Sequence, residues 1–182
     1  MFLRVISGSA RGKKLISPVG NDVRPTLDRV KESVFNMIAF SVADAYVLDL
    51  FAGSGALGIE ALSRGARKAV FVDKSDDSLN TVKKNLSLTS FSDKSHCVHA
   101  NFISYLKKCD EQFDLIFLDP PYADGLLDEA IHLIHEKNLL KDGGFIICES
   151  DGEPCFEPDR TLFEVHRKKR YGRVQILLLT NP

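Results

Sequence analysis

The chain is 182 residues long, 44% hydrophobic and 27% charged, with a formal net charge of −1 at pH 7. That length and apolar content suit one globular domain with a substantial core, and a near-neutral total excludes neither a nucleic-acid partner nor a small-molecule one. No apolar run approaches the ~20 residues of a membrane span and the N-terminus lacks the apolar stretch of a secretory signal, so a cytoplasmic place is expected.

Leu3 to Ile6 and Lys14 to Ile16 read as short strands around the turn Ser7 to Lys13, a small N-terminal hairpin. Leu27, Val30, Val34, Met37 and Ile38 then recur at helical spacing behind Pro25, which suits a first helical turn, and predict a helix over Thr26 to Ala39. Hairpin and helix form an extension over residues 1–40, and the remaining 41–182 form the main domain.

From Ala45 onward strand and helix patterns alternate. Strands are predicted at Ala45 to Leu50, Ala69 to Val72, His96 to His99, Leu115 to Leu118 and Phe145 to Glu149. Helices are predicted at Ala56 to Arg64, Ser75 to Leu88, Phe102 to Lys108 and Leu126 to Glu136. Two last strands, Leu162 to Lys169 and Val174 to Leu179, meet at Arg170 to Arg173 as an antiparallel hairpin. The fold class is therefore α/β, a Rossmann-like, mostly parallel seven-stranded sheet closed by a hairpin, which is not the usual ending of an NAD domain. Asp151 to Pro158 reads as a surface loop.

Between the first predicted strand and helix of this domain, Gly53, Ser54, Gly55 and Gly58 satisfy G-x-G-x-x-G, a turn that brings backbone N–H groups close to a nucleotide. Gly53 and Gly55 permit positive φ and close ligand approach, and Gly58 permits tight packing of helix on strand. Alone the pattern also fits a turn that uses glycine only for packing. Asp49 at the strand end narrows the ligand. A dinucleotide would lay its pyrophosphate near this loop, where a carboxylate opposes it. S-adenosylmethionine carries an ammonium and a sulfonium and no phosphate, so an acid facing the pocket favours it. Asp73, closing the next strand, has a carboxylate suited to ribose hydroxyls and serves any adenosine ligand. With Asn101 and Asp119 it falls at or just after a strand's C-terminal end, where such sheets bind ligands.

Asp119-Pro-Pro-Tyr122 is the most specific motif. An exocyclic amine on a nucleobase is a poor nucleophile because its lone pair is delocalised into the ring. The Asp119 carboxylate and the Pro120 carbonyl offer two acceptors that hold such an amine, and neither proline has an N–H to compete. Pro121 biases Pro120 toward an extended conformation and stiffens the loop. Tyr122 would stack on a base drawn out of its helix. The bland alternative is a proline turn ending a buried strand.

Other candidates carry less. His132 and His135 sit at i and i+3 with no further ligand to complete a metal set, so no metal is expected, and His96 and His99 read as structural. Ser54 lacks the G-x-S-x-G context of a hydrolase elbow. Cys97, Cys109, Cys148 and Cys155 form no C-x-x-C pair, which leaves reduced thiols. Charge is segregated: residues 1–31 and 165–182 together carry +10 and the middle −11, a pattern suggesting a basic face built from the two ends.

Asp49 to Gly58, Glu60 to Ala66, Asp119 to Tyr122, Arg4 to Gly8 with Arg11 to Leu15, and Arg24 to Arg29 together resemble the bacterial RsmD-type methyltransferases, over nearly the whole chain. Asp-Pro-Pro-Tyr is shared with DNA adenine and other amino-methyltransferases, whereas the Arg-Pro-Thr segment and the N-terminal hairpin make the resemblance narrow. The resemblance implies a class I methyltransferase domain that moves a methyl group from S-adenosylmethionine to the N2 amine of guanine 966 of 16S ribosomal RNA, free or in an assembling small subunit. It implies a catalytic set Asp119, Pro120, Pro121 and Tyr122. Asp49, Phe51, Gly53, Ser54, Gly55, Asp73, Lys74, Asn101 and Phe102 would hold the cofactor, with Asn101 standing where the family tends to carry an acid. Arg4, Arg11, Lys13, Lys14, Arg24, Thr26, Arg29, Arg170 and Arg173 would meet RNA, the protein acting as a monomer away from membranes. A DNA or RNA adenine-N6 methyltransferase is the nearest rival. A NAD-dependent oxidoreductase fits the glycines alone, and a non-catalytic RNA-binding module fits the basic ends alone.

Overall fold

Every residue of β1, Tyr46–Asp49, is buried, as a strand covered on both faces must be. A computed structural model describes residues 3–17, 26–121, 125–151, 157–159 and 161–182. In it β1 pairs in parallel with β2 (Lys68–Asp73) on one side and β4 (Phe113–Leu118) on the other. β3 (Ser95–His99) continues the sheet beyond β2, and β5 (Leu140–Asp151) continues it beyond β4, both in parallel. β6 (Glu164–Tyr171) and β7 (Val174–Thr180) form an antiparallel hairpin whose β7 pairs with β5, giving the order β3-β2-β1-β4-β5-β7-β6. This is the predicted architecture, with the order reversing beside β1.

Alternation along the strands feeds two cores. Val47, Phe71, Leu115 and Phe117 point to the side covered by α1 (Thr26–Met37), α2 (Ala56–Ser63) and α3 (Asp76–Thr89). Leu48, Val70, Ile116 and Leu118 point to the side covered by α4 (Phe102–Lys108) and α5 (Leu126–Glu136). Leu3, Val5, Ala10 and Leu15 of the N-terminal segment are buried in the first core, together with Val30, Val34, Phe35 and Ile38 of α1.

Three local expectations change. The N-terminal hairpin is joined by Val5 N–H to Lys13 O (2.9 Å) and Leu15 N–H to Leu3 O (2.8 Å), but its arms amount to one bridge, Arg4 with Lys14, rather than two strands. Its polar turn takes partners from α2 instead of lengthening a ladder. β5 begins at Leu140, five residues before the apolar run that predicts it, because the polar Lys141 to Gly144 stretch is absorbed as a register irregularity opposite Phe113 to Leu115. β6 starts at Glu164, after a turn in which Asp159 accepts from the Thr161 N–H and hydroxyl.

Candidate active site

The sheet register brings the four polar positions to one rim. Asp49 lies level with Phe71 of β2 and Phe117 of β4, so Asp73 and Asp119 each sit two residues further along the strands that flank it. Asp73 lies level with His99 of β3, and Asn101 is again two residues beyond. Across the sheet the order is Asn101, Asp73, Asp49, Asp119, with the last two flanking the switch between β1 and β4 where such sheets bind ligands.

The glycine loop has the expected backbone. Gly53 (φ +54°) and Gly55 (φ +77°) are left-handed, and a Cβ on Gly58 would come within 2.3 Å of the buried Phe71 ring, so α2 approaches β2 more closely than any side chain allows. The carboxylates hold this loop. Asp49 accepts from Gly58 N–H at 3.0 Å, and Asp73 accepts from Gly53 N–H and Ser75 N–H, each at 2.9 Å.

Burial pushes the Asp49 carboxyl up to about 8, the Gly58 hydrogen bond opposing this and the Asp119 and Asp73 charges adding to it. Asp119 is raised to about 6 by burial. Neither Asp119 oxygen takes part in a hydrogen bond among the described residues, in contrast to Asp49 and Asp73. The Pro120 ring is buried and Pro121 exposed.

Phe51, just past β1, and Phe102, opening α4, meet with ring centroids 5.1 Å apart, an apolar wall beside the loop. Lys74 is exposed, its carbonyl bonded to the His99 ring at 2.9 Å. Asn101 caps α4, its Oδ1 accepting from Ile103 N–H at 2.9 Å. Ser54 contributes its carbonyl to Asn85. Tyr122 and Arg24 lie outside the described residues, as does Cys155, and Thr26 opens α1. His132 and His135 are exposed, the first bonded to Asp128 O and the second edge-on to Phe163.

The basic ends meet but are not uniformly outward. Ser33 of α1 shares a hydrogen bond with the Tyr171 hydroxyl at the end of β6, which joins the N-terminal helix to the C-terminal hairpin. Arg11, Lys13, Lys14 and Arg29 are exposed, as are Arg170 and Arg173. Arg4 is exposed yet pairs with Asp28 at 3.0 Å. Lys31, one of the basic residues of the N-terminal stretch, turns inward to bond Arg4 O at 2.5 Å and to face the fully buried Glu60 at 3.4 Å. Glu60 also accepts from Ile6 N–H, Ser7 N–H and Arg64 Nε. Neither the role of Glu60 nor that of Asn85 is legible in the sequence. The signal of each is a polar residue on the apolar face of a helix, which alone does not name its partner.

The Asp73 and Asp119 carboxylates oppose a pyrophosphate at this rim, and a cationic ligand favours the ionised form of Asp49 between them. That electrostatic choice, on a parallel sheet closed by an antiparallel hairpin, separates this site from nicotinamide enzymes and puts the chain among the class I methyltransferases, which use S-adenosylmethionine. Solved structures agree: the yhhF protein of Escherichia coli superposes with a TM-score of 0.90 and 35% identity over 100% of this chain and 98% of its own. Residues 3–180 match the family described as conserved hypothetical protein 95. Ribosomal RNA small subunit methyltransferase D of Escherichia coli (strain K12) is 38% identical over 94% of this chain and 86% of its own length. The YlbH protein of Bacillus subtilis is 41% identical over 93% and 94%. The chain belongs to this family, the RsmD-type methyltransferases.

Proposed function

We propose that the chain methylates the N2 amine of one guanine in 16S ribosomal RNA, at the position corresponding to guanine 966, in the cytoplasm. The observation that carries this reading is the Asp119 carboxylate, the one rim acid without a hydrogen bond among the described residues. Asp119 is half-buried at the rim, and its carboxylate oxygens, not taken by loop amides, are open to an incoming amine. The identity with a relative named for small-subunit ribosomal RNA supports the substrate class.

Bound S-adenosylmethionine supplies an electrophilic methyl group. The chain's own residues hold the two partners. Asp73 keeps lone pairs for ribose hydroxyls beyond the two amides it already accepts, and Asn101 Oδ1 keeps one for the adenine amine. Phe51 and Phe102 give the adenine an apolar wall, Lys74 closes the rim, and Asp49 balances the cofactor's positive charge. Asp119 and the Pro120 carbonyl accept the two hydrogens of the guanine amine, Pro121 keeps that carbonyl in place, and Tyr122 stacks on the base. Positive charge that grows on the nitrogen is met by Asp119, and the methylated amine gives up its proton to that carboxylate or to water. Residues 1–40, with Arg170 and Arg173 of the hairpin that meets α1 through Tyr171, form the RNA-contacting face.

The test is nucleoside mapping of 16S ribosomal RNA from cells lacking this protein. One N2-methylguanosine disappears, and it returns with the wild-type chain but not with Asp119→Ala. Loss of N6-methyladenosine instead would establish the adenine reading.

A further inference from the structure

The side-chain amide of Asn85, on α3, makes three hydrogen bonds to the backbone of two residues far apart in sequence. Its Oδ1 accepts from Ile16 N–H at 2.8 Å, and its Nδ2 donates to Ile16 O and to Ser54 O, each at 2.9 Å. Ile16 ends the returning arm of the N-terminal hairpin, and Ser54 stands in the middle of the glycine loop. Asn85 is fully buried. One N–H and two carbonyls demand one acceptor and two donors on a single planar head, which a carboxamide supplies and neither a carboxylate nor an alkyl group does. The same demand fixes which way the amide points.

Other anchors of the hairpin end on α2. Glu60 accepts from Ile6 and Ser7 N–H, while Ser63 Oγ accepts from Ala10 N–H at 2.9 Å and donates to Ser7 O at 2.6 Å. None of those bonds reaches the glycine loop. The bonds of Asn85 do, and a polar group buried at 0% exposure inside a helix–sheet core is kept at a cost that an apolar residue would avoid.

We propose that Asn85 is a positioning residue that couples the two substrate sites, resting on the reading above that the hairpin meets RNA and the loop meets the cofactor. RNA gripping the hairpin steadies the Ile16 peptide, Asn85 passes that constraint to the Ser54 carbonyl, and the loop is ordered before the cofactor arrives. The second ligand then loses less freedom on binding than the first. By linkage the effect is reciprocal, so cofactor tightens RNA binding by the same factor.

The test measures binding of labelled S-adenosylhomocysteine by equilibrium dialysis, with and without small ribosomal subunits purified from cells lacking this protein. The wild-type chain should bind about tenfold tighter with subunits present, within the usual range of such couplings. Asn85→Leu should bring the ratio to about 1, and Ser63→Ala, which loosens the hairpin only from α2, should leave it in place. A retained ratio in Asn85→Leu, or an equal loss in Ser63→Ala, overturns the coupling role. A second measurement needs no variant: adding S-adenosylhomocysteine to the wild-type chain should slow hydrogen exchange at the Ile16 amide, and unchanged exchange overturns the proposal. A wild-type ratio of 1 alongside intact methyl transfer defeats this inference alone, whereas absence of any transfer to ribosomal RNA defeats the functional reading beneath it.

Discussion

Asp49, Asp73 and Asp119 are three copies of one functional group, and their hydrogen bonds divide the work. Asp49 and Asp73 accept from loop amides and set the shape of the glycine turn. Asp119 makes no such bond among the described residues, as the proposed grip on an amine requires. Its carboxyl is raised to about 6, so it is ionised at neutral pH and loses its acceptor as pH falls through that value. The turnover rate at saturating cofactor and RNA should therefore drop about tenfold per pH unit below 6, and Asp119→Asn should lower it by 10²-fold or more at every pH. Asp49 gives a second, separable profile. Its folded pKa lies above the ordinary 3.8, at about 8, so its contribution to stability is full in acid below 3.8 and is lost as pH rises through about 8. Thermal melts of the cofactor-free chain should show that decline, with Asp49→Asn removing it. Cofactor affinity should move oppositely, strengthening from pH 6 to 9 in the wild type, because a cation prefers the ionised acid.

At the scale of elements, α2 and α3 show how local signals become geometry. Gly58 is legible as a packing glycine, and the Phe71 ring is the reason: it is fully buried and has no room to yield. Gly58→Ala should destabilise the chain by about 1–3 kcal/mol in urea unfolding, the overpacking outweighing the better helix propensity of alanine. Ser75 caps α3 by accepting from Ser78 N–H, so Ser75→Ala should cost about 1 kcal/mol in the same experiment. Bounds of α4 and α5 are legible to the residue, since apolar spacing and flanking polar residues decide them locally. The start of β5 is not, because Lys141 to Gly144 joins the sheet through pairing with β4 and not through its own propensity. The N-terminal arms are likewise decided by Glu60 and Ser63 from another helix.

The whole molecule carries its charge in a way that the total of −1 conceals. The Ser33 to Tyr171 contact puts α1 against the end of the C-terminal hairpin, so the two basic ends of the chain are neighbours. The run His166 to Arg170 also guards β6, an edge strand, against pairing with another chain. A phosphate-binding role makes a claim beyond that guard: RNA affinity should fall steeply with salt, and Arg29→Ala should shallow the log–log slope by about 1. Lys31 is excluded from that count, since its ammonium is buried beside Glu60, and Lys31→Ala should lower stability more than RNA affinity.

The glycine turn, the Asp-Pro-Pro motif and the alternation of strands with helices were determined by the sequence itself, because each is a pattern of neighbours whose sterics and periodicity act within a few residues. Tertiary structure alone decided which rim carboxylate stays unbonded, that Lys31 faces inward, and that Asn85 ties Ile16 to Ser54. Those outcomes depend on desolvation and on partners distant in the chain, 27 positions for Lys31 with Arg4 and 69 for Asn85 with Ile16, over which no local pattern reports.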